Sequence, residues 1–365
     1  MADLIRRLLH PIYRRLERCA QPLRYLFVEI TQRCNLECRH CGSDCGREAQ
    51  RPELSAAQWC EFFAYLPRHF DRREMVLVVT GGEPFCHPEF DRVLGGLSEN
   101  GLTWGMVSNG WALTPANVAK VVDHGISSLT VSLDGLAPAH DWLRGRPGAF
   151  TRTVAGLRNV AAAGLPFFDV VTCVNPRNLA ELPSVMALLV ELGVPAWRLF
   201  TIFPTGRAKA DPGLRLDDDQ LRRLFAWIAE ARRVAPRGLS LQYGCEGYLP
   251  ARLDDAVRDE PYFCRAGISI GSVLCDGSIS ACPNISRDLI QGNVRSDDFA
   301  TVWEERFVPF RRREWMKQGP CADCEQWRRC EGNSLHLWDP ATASTALCHH
   351  RVLGGGGDCG APRRD

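Results

Sequence analysis

The sequence predicts an α/β protein: a mainly parallel sheet with crossover helices, followed by a small module stabilised by metal. Three observations carry this reading. Six short apolar runs alternate with six helical patterns between residues 26 and 233, as expected of βα units. The rhythm breaks near residue 236, where Gly, Pro and Cys become frequent. The 365 residues also include 17 cysteines, in a chain too long to need disulfide staples.

The strand candidates are Leu26–Thr31, Met75–Thr80, Thr103–Val107, Ser128–Leu133, Phe167–Val174 and Trp197–Ile202, with helical patterns at 55–69, 88–99, 115–124, 150–163, 179–192 and 217–233. Short, fully apolar strands suit a sheet buried on both faces. Periodicity is equally compatible with a partial barrel and an open doubly wound sheet. Upstream, Leu4, Ile5, Leu8, Leu9, Ile12 and Leu16 recur at helical spacing among arginines. A basic amphipathic helix can lie on a membrane or grip a partner; a helix capping the end of a barrel is the preferred reading. The chain divides into this helix (1–25), a barrel (26–235), a bridge (236–262), a cysteine-rich module (263–350) and a flexible tail (351–365). Within the module only Asp298–Trp315 offers a long helical stripe.

Charge excludes some functions. Lys+Arg is 44 and Asp+Glu is 43, a net charge of +1, which removes the electrostatic case for bulk nucleic-acid binding. No apolar run is long enough to span a membrane, and no signal-peptide core follows the first arginines. An odd number of cysteines without a secretion signal suits a reducing, cytoplasmic compartment where thiolates hold metal.

The chemistry starts after the first strand, at Cys34-Asn-Leu-Glu-Cys38-Arg-His-Cys41. A zinc site or an iron–sulfur cube normally takes four cysteines, so three leave one metal position open. Cys45 is the candidate fourth ligand if the clip is only a structural zinc site. Later strand ends carry Gly81-Gly82-Glu83-Pro84, Ser108-Asn109-Gly110, Ser132-Leu133-Asp134-Gly135, Val174–Asn178 and Phe203–Arg207. Ligands of parallel α/β folds bind at these carboxyl ends. Glycines admit a ligand to the backbone, Glu83 offers a carboxylate to an ammonium group, and Ser132 and Asp134 could bond sugar hydroxyls.

The CxxxCxxC clip with GGEP after the next strand resembles the radical SAM superfamily, from about Leu26 to Ala235. The resemblance implies a partial (β/α)6 barrel. It implies a [4Fe–4S] cluster on Cys34, Cys38 and Cys41, with S-adenosylmethionine chelating the fourth iron. An external one-electron donor such as a flavodoxin or ferredoxin would reduce it, and sulfonium cleavage would give a 5′-deoxyadenosyl radical that abstracts a substrate hydrogen. Gly81, Gly82 and Glu83 match the contact to the methionyl amino group, Ser132 a ribose contact, and Asn109 the same mouth. His40 stands where the family usually has Tyr, Phe or Trp, and an imidazole can still stack on adenine. His140-Asp141, Arg144-Gly145, Gly148–Phe150 and Phe203–Ala208 resemble the family's peptide-modifying members.

The module is similar to the SPASM domain, whose full form holds two auxiliary [4Fe–4S] clusters. Cys321, Cys324, Cys330 and Cys348 match the outer set completely; a structural zinc on these four is the alternative. Of the inner set only Cys264 and Cys282 are in place. Ser334 stands where another cysteine is expected, and Cys245 and Cys275 are the candidate substitutes. If an auxiliary cluster accepts an electron, a proton must also leave, and Glu246 and Tyr243 are candidates by their location. Cys19, Cys60, Cys86, Cys173 and Cys359 have no partner in spacing, and His349 and His350 read as exposed tail residues.

The functional expectation is therefore a radical SAM enzyme that modifies a peptide or protein. A small-molecule or tetrapyrrole maturase is the alternative within the class, and a non-catalytic iron–sulfur carrier or sensor the alternative outside it. A peptide-recognition domain ahead of the barrel would need about 80 residues. Only 25 precede the first strand, so leader recognition either uses another chain or is not needed.

Overall fold

In the computed structural model, described here for residues 2–244 and 246–354, one ten-stranded sheet organises the chain. Its strands are β1 (Tyr25–Glu29), β2 (Val76–Thr80), β3 (Thr103–Ser108), β4 (Ser128–Ser132), β5 (Phe168–Val174), β6 (Ala196–Thr201), β7 (Ser240–Tyr243), β8 (Ile270–Val273), β9 (Ser278–Ser280) and β10 (Gly292–Asn293). They lie in the order β10-β9-β8-β1-β2-β3-β4-β5-β6-β7. From β8 through β7 every neighbouring pair is parallel. The six strands expected are all present, and two parallel strands extend the set. The sequence hides β7 and β8 because both are short and lie in the Gly- and Cys-rich stretch. β7 and β10 stand at opposite edges, so the barrel is partial.

Three of the connecting helices begin where a side chain satisfies free N–H groups. α1 spans Ala2–Ala20, α2 Ala56–His69, α3 Phe90–Glu99, α4 Pro115–Asp123, α5 Ala137–Arg144, α6 Ala149–Ala162, α7 Leu182–Glu191, α8 Asp218–Val234 and α9 Ala251–Val257. Ser55 with Gln58 and Asp217 with Gln220 form capping boxes ahead of α2 and α8, and Thr114 caps α4. Leu26, Val28, Leu77, Val79, Leu129 and Val131 are fully buried between sheet and helices, the double-sided burial that their apolar runs anticipate.

The module is continuous with the barrel. β8 pairs with β1 from Tyr25↔Ile270 to Val28↔Val273, and β9 and β10 add antiparallel strands outside it. The stripe at Asp298–Trp315 is not one helix but a succession of short turns, at Phe299–Thr301, Val302–Arg306, Val308–Arg311 and Glu314–Met316. Pro309 and the hydrogen-bonding demands of buried Arg311 and Arg313 break it.

α1 packs against the module with its charged face. Arg14 and Arg18 both pair with Glu331, Arg7 pairs with Asp255, and Arg14 lies over the Phe263 ring. Leu8, Leu9, Ile12 and Leu16 face outward, 54–67% exposed. Pro11 sits inside the helix without ending it.

Candidate functional site

The clip lies in the connection after β1, held by backbone hydrogen bonds to its own loop, to α5 and to the segment after β6. Cys34 N donates to Gly46 O at 2.6 Å, Arg39 N to Leu143 O at 2.8 Å and Arg207 N to Cys41 O at 3.0 Å. Each sulfur faces a donor. Cys34 Sγ accepts from Leu36 N at 3.5 Å and Asn109 Nδ2 at 3.7 Å, Cys38 Sγ from Arg144 Nη1 at 3.7 Å, and Cys41 Sγ from Cys45 N at 3.3 Å. Hydrogen bonds of this kind favour the thiolate, and the contact with Cys45 lowers the pKa of Cys41. Burial opposes it elsewhere, pushing Cys34 up to about 12.

A cavity of about 300 Å³ opens beside the clip at the carboxyl ends of the strands. Gly81, Gly82, Asn109, Ser132 and His40 all line it, as do Pro283 and Asn284 from the module. Side chains would not fit at the two glycines: a Cβ would meet Thr31 O at 2.3 Å from Gly81 and Arg33 O at 2.4 Å from Gly82. His40 is buried, which lowers its pKa to about 4 and keeps the imidazole neutral. Thr205 Oγ1, also in the wall, has no hydrogen-bond partner. Three sulfurs with donors, a glycine floor and polar wall atoms fit a thiolate-held cluster with a polar ligand beside it.

Two of the expected contact residues lie outside the cavity lining. Glu83 does not line the cavity; its carboxylate lies behind the wall, accepting from Ser108 Oγ at 2.9 Å and Asn109 N at 2.8 Å. Burial raises its pKa to about 7. Asp134 is likewise fully buried and faces protein: Arg144 Nη2 lies 2.6 Å from it and Cys173 N donates to it at 2.8 Å. Arg144 and Cys173 line the cavity in its place. Sequence reasoning gave Arg144 only as part of a family motif and gave Cys173 no role, since a lone cysteine has no spacing signal.

In the module, burial and the neighbouring Cys348, Cys321 and Cys324 thiols push Cys330 up to about 12. Four thiols that act on one another in this way are the kind of donor set a cluster takes. The inner set differs. Cys264 lies against buried Arg313, which bonds its carbonyl at 3.1 Å and lowers the thiol pKa against the effect of burial. Ser334 Oγ accepts from Gly247 N at 3.3 Å and lies 3.0 Å from Tyr262 Oη. Cys275 hydrogen-bonds Glu29 at the end of β1, and Cys245 lies outside the described residues.

Glu246 and Tyr243 come together with a residue the sequence misplaced. Glu246 accepts from Thr201 N at 2.7 Å and Tyr243 Oη at 2.7 Å, and Tyr243 Oη lies 3.0 Å from His349 Nε2. His349 is fully buried rather than an exposed tail residue.

A parallel sheet carrying a three-cysteine clip at its mouth, and a four-cysteine module spliced to its edge, define an iron–sulfur enzyme of the α/β barrel class. Residues 28–189 match the radical SAM superfamily, and residues 264–325 match the SPASM iron–sulfur cluster-binding domain. The protein is a radical SAM superfamily enzyme with a C-terminal SPASM domain. Such domains imply a [4Fe–4S] cluster, S-adenosylmethionine and at least one auxiliary cluster.

Among relatives, the chain is 29% identical over 324 residues to the AdoMet-dependent heme synthase of Methanosarcina barkeri, covering 85% of this chain and 90% of that protein. It is 28% identical over 317 residues to the mycofactocin maturase MftC of Mycobacterium tuberculosis, covering 84% and 77%. The fold is similar to Streptococcus suis SuiB bound to precursor peptide SuiA, with a TM-score of 0.69 at 18% identity, over 91% of this chain and 76% of SuiB. No helix among the described residues is long and apolar enough to cross a membrane.

Proposed function

We propose that this enzyme modifies a peptide or protein by radical chemistry in the cytoplasm. Cys34, Cys38 and Cys41 hold the cluster that an external one-electron donor, a flavodoxin or ferredoxin, reduces. Cys321, Cys324, Cys330 and Cys348 hold the auxiliary one. When bound, the first cluster and S-adenosylmethionine supply a 5′-deoxyadenosyl radical that abstracts a substrate hydrogen. Gly81 and Gly82 admit the methionyl end to the backbone, Ser132 and Asn109 offer polar contacts, and neutral His40 stacks on the adenine. Glu83 fixes the Ser108–Asn109 turn from behind.

One observation carries the peptide reading. The cavity beside the clip shares Thr201 and Ile202 with a second cavity of about 320 Å³. Pro204, Leu216, Leu221, Leu337 and Leu347 line the second. The two adjoin there and reach from the clip to Leu337 and Leu347 of the module, which leaves room for an extended chain. A second reading, a tetrapyrrole substrate, is supported by the relatives named heme synthases and by Arg215, which lines the second cavity and offers a cation to a carboxylate. The test is 5′-deoxyadenosine formation by the reconstituted enzyme, with small-molecule extract added before and after protease treatment. Stimulation that protease destroys supports a peptide. Stimulation that survives protease, and that iron coproporphyrin reproduces, supports the tetrapyrrole reading instead.

A further inference from the structure

The clip loop has two faces. Cys34, Leu36, Cys38 and His40 line the cavity. The residues between them do not: Arg33, Glu37 and Arg39 are exposed and Asn35 is half-buried. From solvent on that outer face, only the thickness of one loop separates a partner from the three cysteines. Two stacks of arginine and tryptophan flank it. At one end Arg39 Nε donates to Trp142 O at 3.1 Å, and Cζ of Arg39 and of Arg177 lie 5.1 and 4.0 Å from the Trp142 ring centre. At the other end Arg146 Nη1 donates to Asn35 O at 2.7 Å. Its Cζ lies 3.7 Å from the Trp111 ring centre, and that of Arg152 lies 5.6 Å from the same ring. Trp111 packs in turn against the buried group that contains Cys34, Leu36 and Cys38.

The acids nearby are engaged. Asp141 accepts from Gly148 N and Phe150 N, Asp44 pairs with Arg207, and Glu37 pairs with Arg47. Arg39, Arg146, Arg152 and Arg177 have no carboxylate partner among the described residues. A chain of net charge +1 thus gathers four uncompensated cations around its clip. We propose that this face docks the one-electron carrier, a small acidic protein. Unpaired guanidinium groups steer an acidic partner toward them, and stacking on tryptophan holds them in place with their charge intact. Arginine and tryptophan are also the side chains that anchor protein interfaces. In the transfer an anionic flavin hydroquinone on the carrier becomes the neutral semiquinone, so one electron passes to the cluster and no proton moves. A substrate peptide is the poorer occupant, because the hydrogen it offers must reach the cavity on the other face of the loop.

The inference rests on the proposed assignment of Cys34, Cys38 and Cys41 to the first cluster, and the experiment keeps the two apart. The full reconstituted chain is titrated with oxidised, dye-labelled flavodoxin, and binding is read by fluorescence anisotropy at about 50 and about 300 mM salt. Arg152→Glu combined with Arg177→Glu is compared with Arg223→Glu combined with Arg237→Glu. The second pair changes two exposed arginines on and after α8 and alters net charge equally. The expected result is binding that salt weakens, with a loss on the order of tenfold or more in the first double variant alone. 5′-Deoxyadenosine formation driven by reduced flavodoxin should fall with it, while formation driven by dithionite keeps the wild-type rate. No wild-type binding at low salt, no loss in the first double variant, an equal loss in both, or an equal loss with both reductants overturns the inference. Absence of 5′-deoxyadenosine with dithionite in the wild type overturns the cluster assignment instead, and the anisotropy titration still decides the docking face.

Discussion

Arg144 and Asp134 form an ion pair at 2.6 Å in which both side chains are almost wholly buried. The pair ties the last residue of α5 to the loop after β4, and the same guanidinium reaches Cys38 Sγ at 3.7 Å. A buried pair is costly to break, because one partner is left charged without compensation.

Arg144→Met should therefore destabilise the cluster-free protein by about 3–5 kcal/mol. Adding Asp134→Asn should restore part of the loss, since the uncompensated charge is gone. Urea unfolding of the wild type, the single and the double variants checks this. A loss under about 1 kcal/mol in the single variant would mean that water reaches the pair.

Gly82→Ala places a Cβ 2.4 Å from Arg33 O, a backbone atom that cannot swing aside. The expected cost is about 1–3 kcal/mol of stability, as for an overpacked site, together with loss of S-adenosylmethionine binding by equilibrium dialysis. Wild-type affinity in the variant would show that the cofactor does not approach this strand end.

Glu83 is a buried acid whose pKa rises from 4.5 to about 7 through desolvation. A raised acid pKa gives stability that is fully present below the unfolded value and is lost as pH rises through the folded one. Stability of the cluster-free protein should fall between pH 4.5 and 7, with a contribution from this group of about 1.4 kcal/mol per unit at most. Glu29 and Glu246, also raised to about 7 by burial, act in the same direction. Glu83→Gln should flatten the profile in that window and leave it unchanged above it.

The outward face of α1 gives a contrasting expectation. Changing Leu8, Leu9, Ile12 and Leu16 to Gln removes exposed apolar groups that no described residue covers. Stability should move by about 0.5 kcal/mol or less per site, while self-association, read by light scattering, should fall. A large drop in melting temperature would mean that these leucines pack inward in solution.

The sequence announces the barrel because each βα unit repeats one apolar pattern: all six strands and six helices fall within a few residues of their expected places. The clip and the barrel-mouth glycines are legible for a related reason, since a strand end followed by Cys or Gly leaves a local mark. Cys173 and His349 leave none. Each matters through a neighbour more than 30 residues away, and only folding creates that neighbour. Asp134 and Glu83 show the converse: the strand-end position is right, but the carboxylate turns into the protein to meet its own donors. The polarity of α1 is inverted for a similar reason, because Glu331 on the module and Asp255 on the bridge receive its arginines.

The pairing of β8 with β1 binds the two ends of the story into one ladder. A strand that arrives about 245 residues later completes the flank of the first, so neither region can be lifted out like a bead from a string. A truncation that keeps residues 26–235 would bare the Leu26–Val28 edge, and bare edges invite pairing with other chains. Anyone wishing to transplant the module onto another barrel would have to graft that shared seam with it.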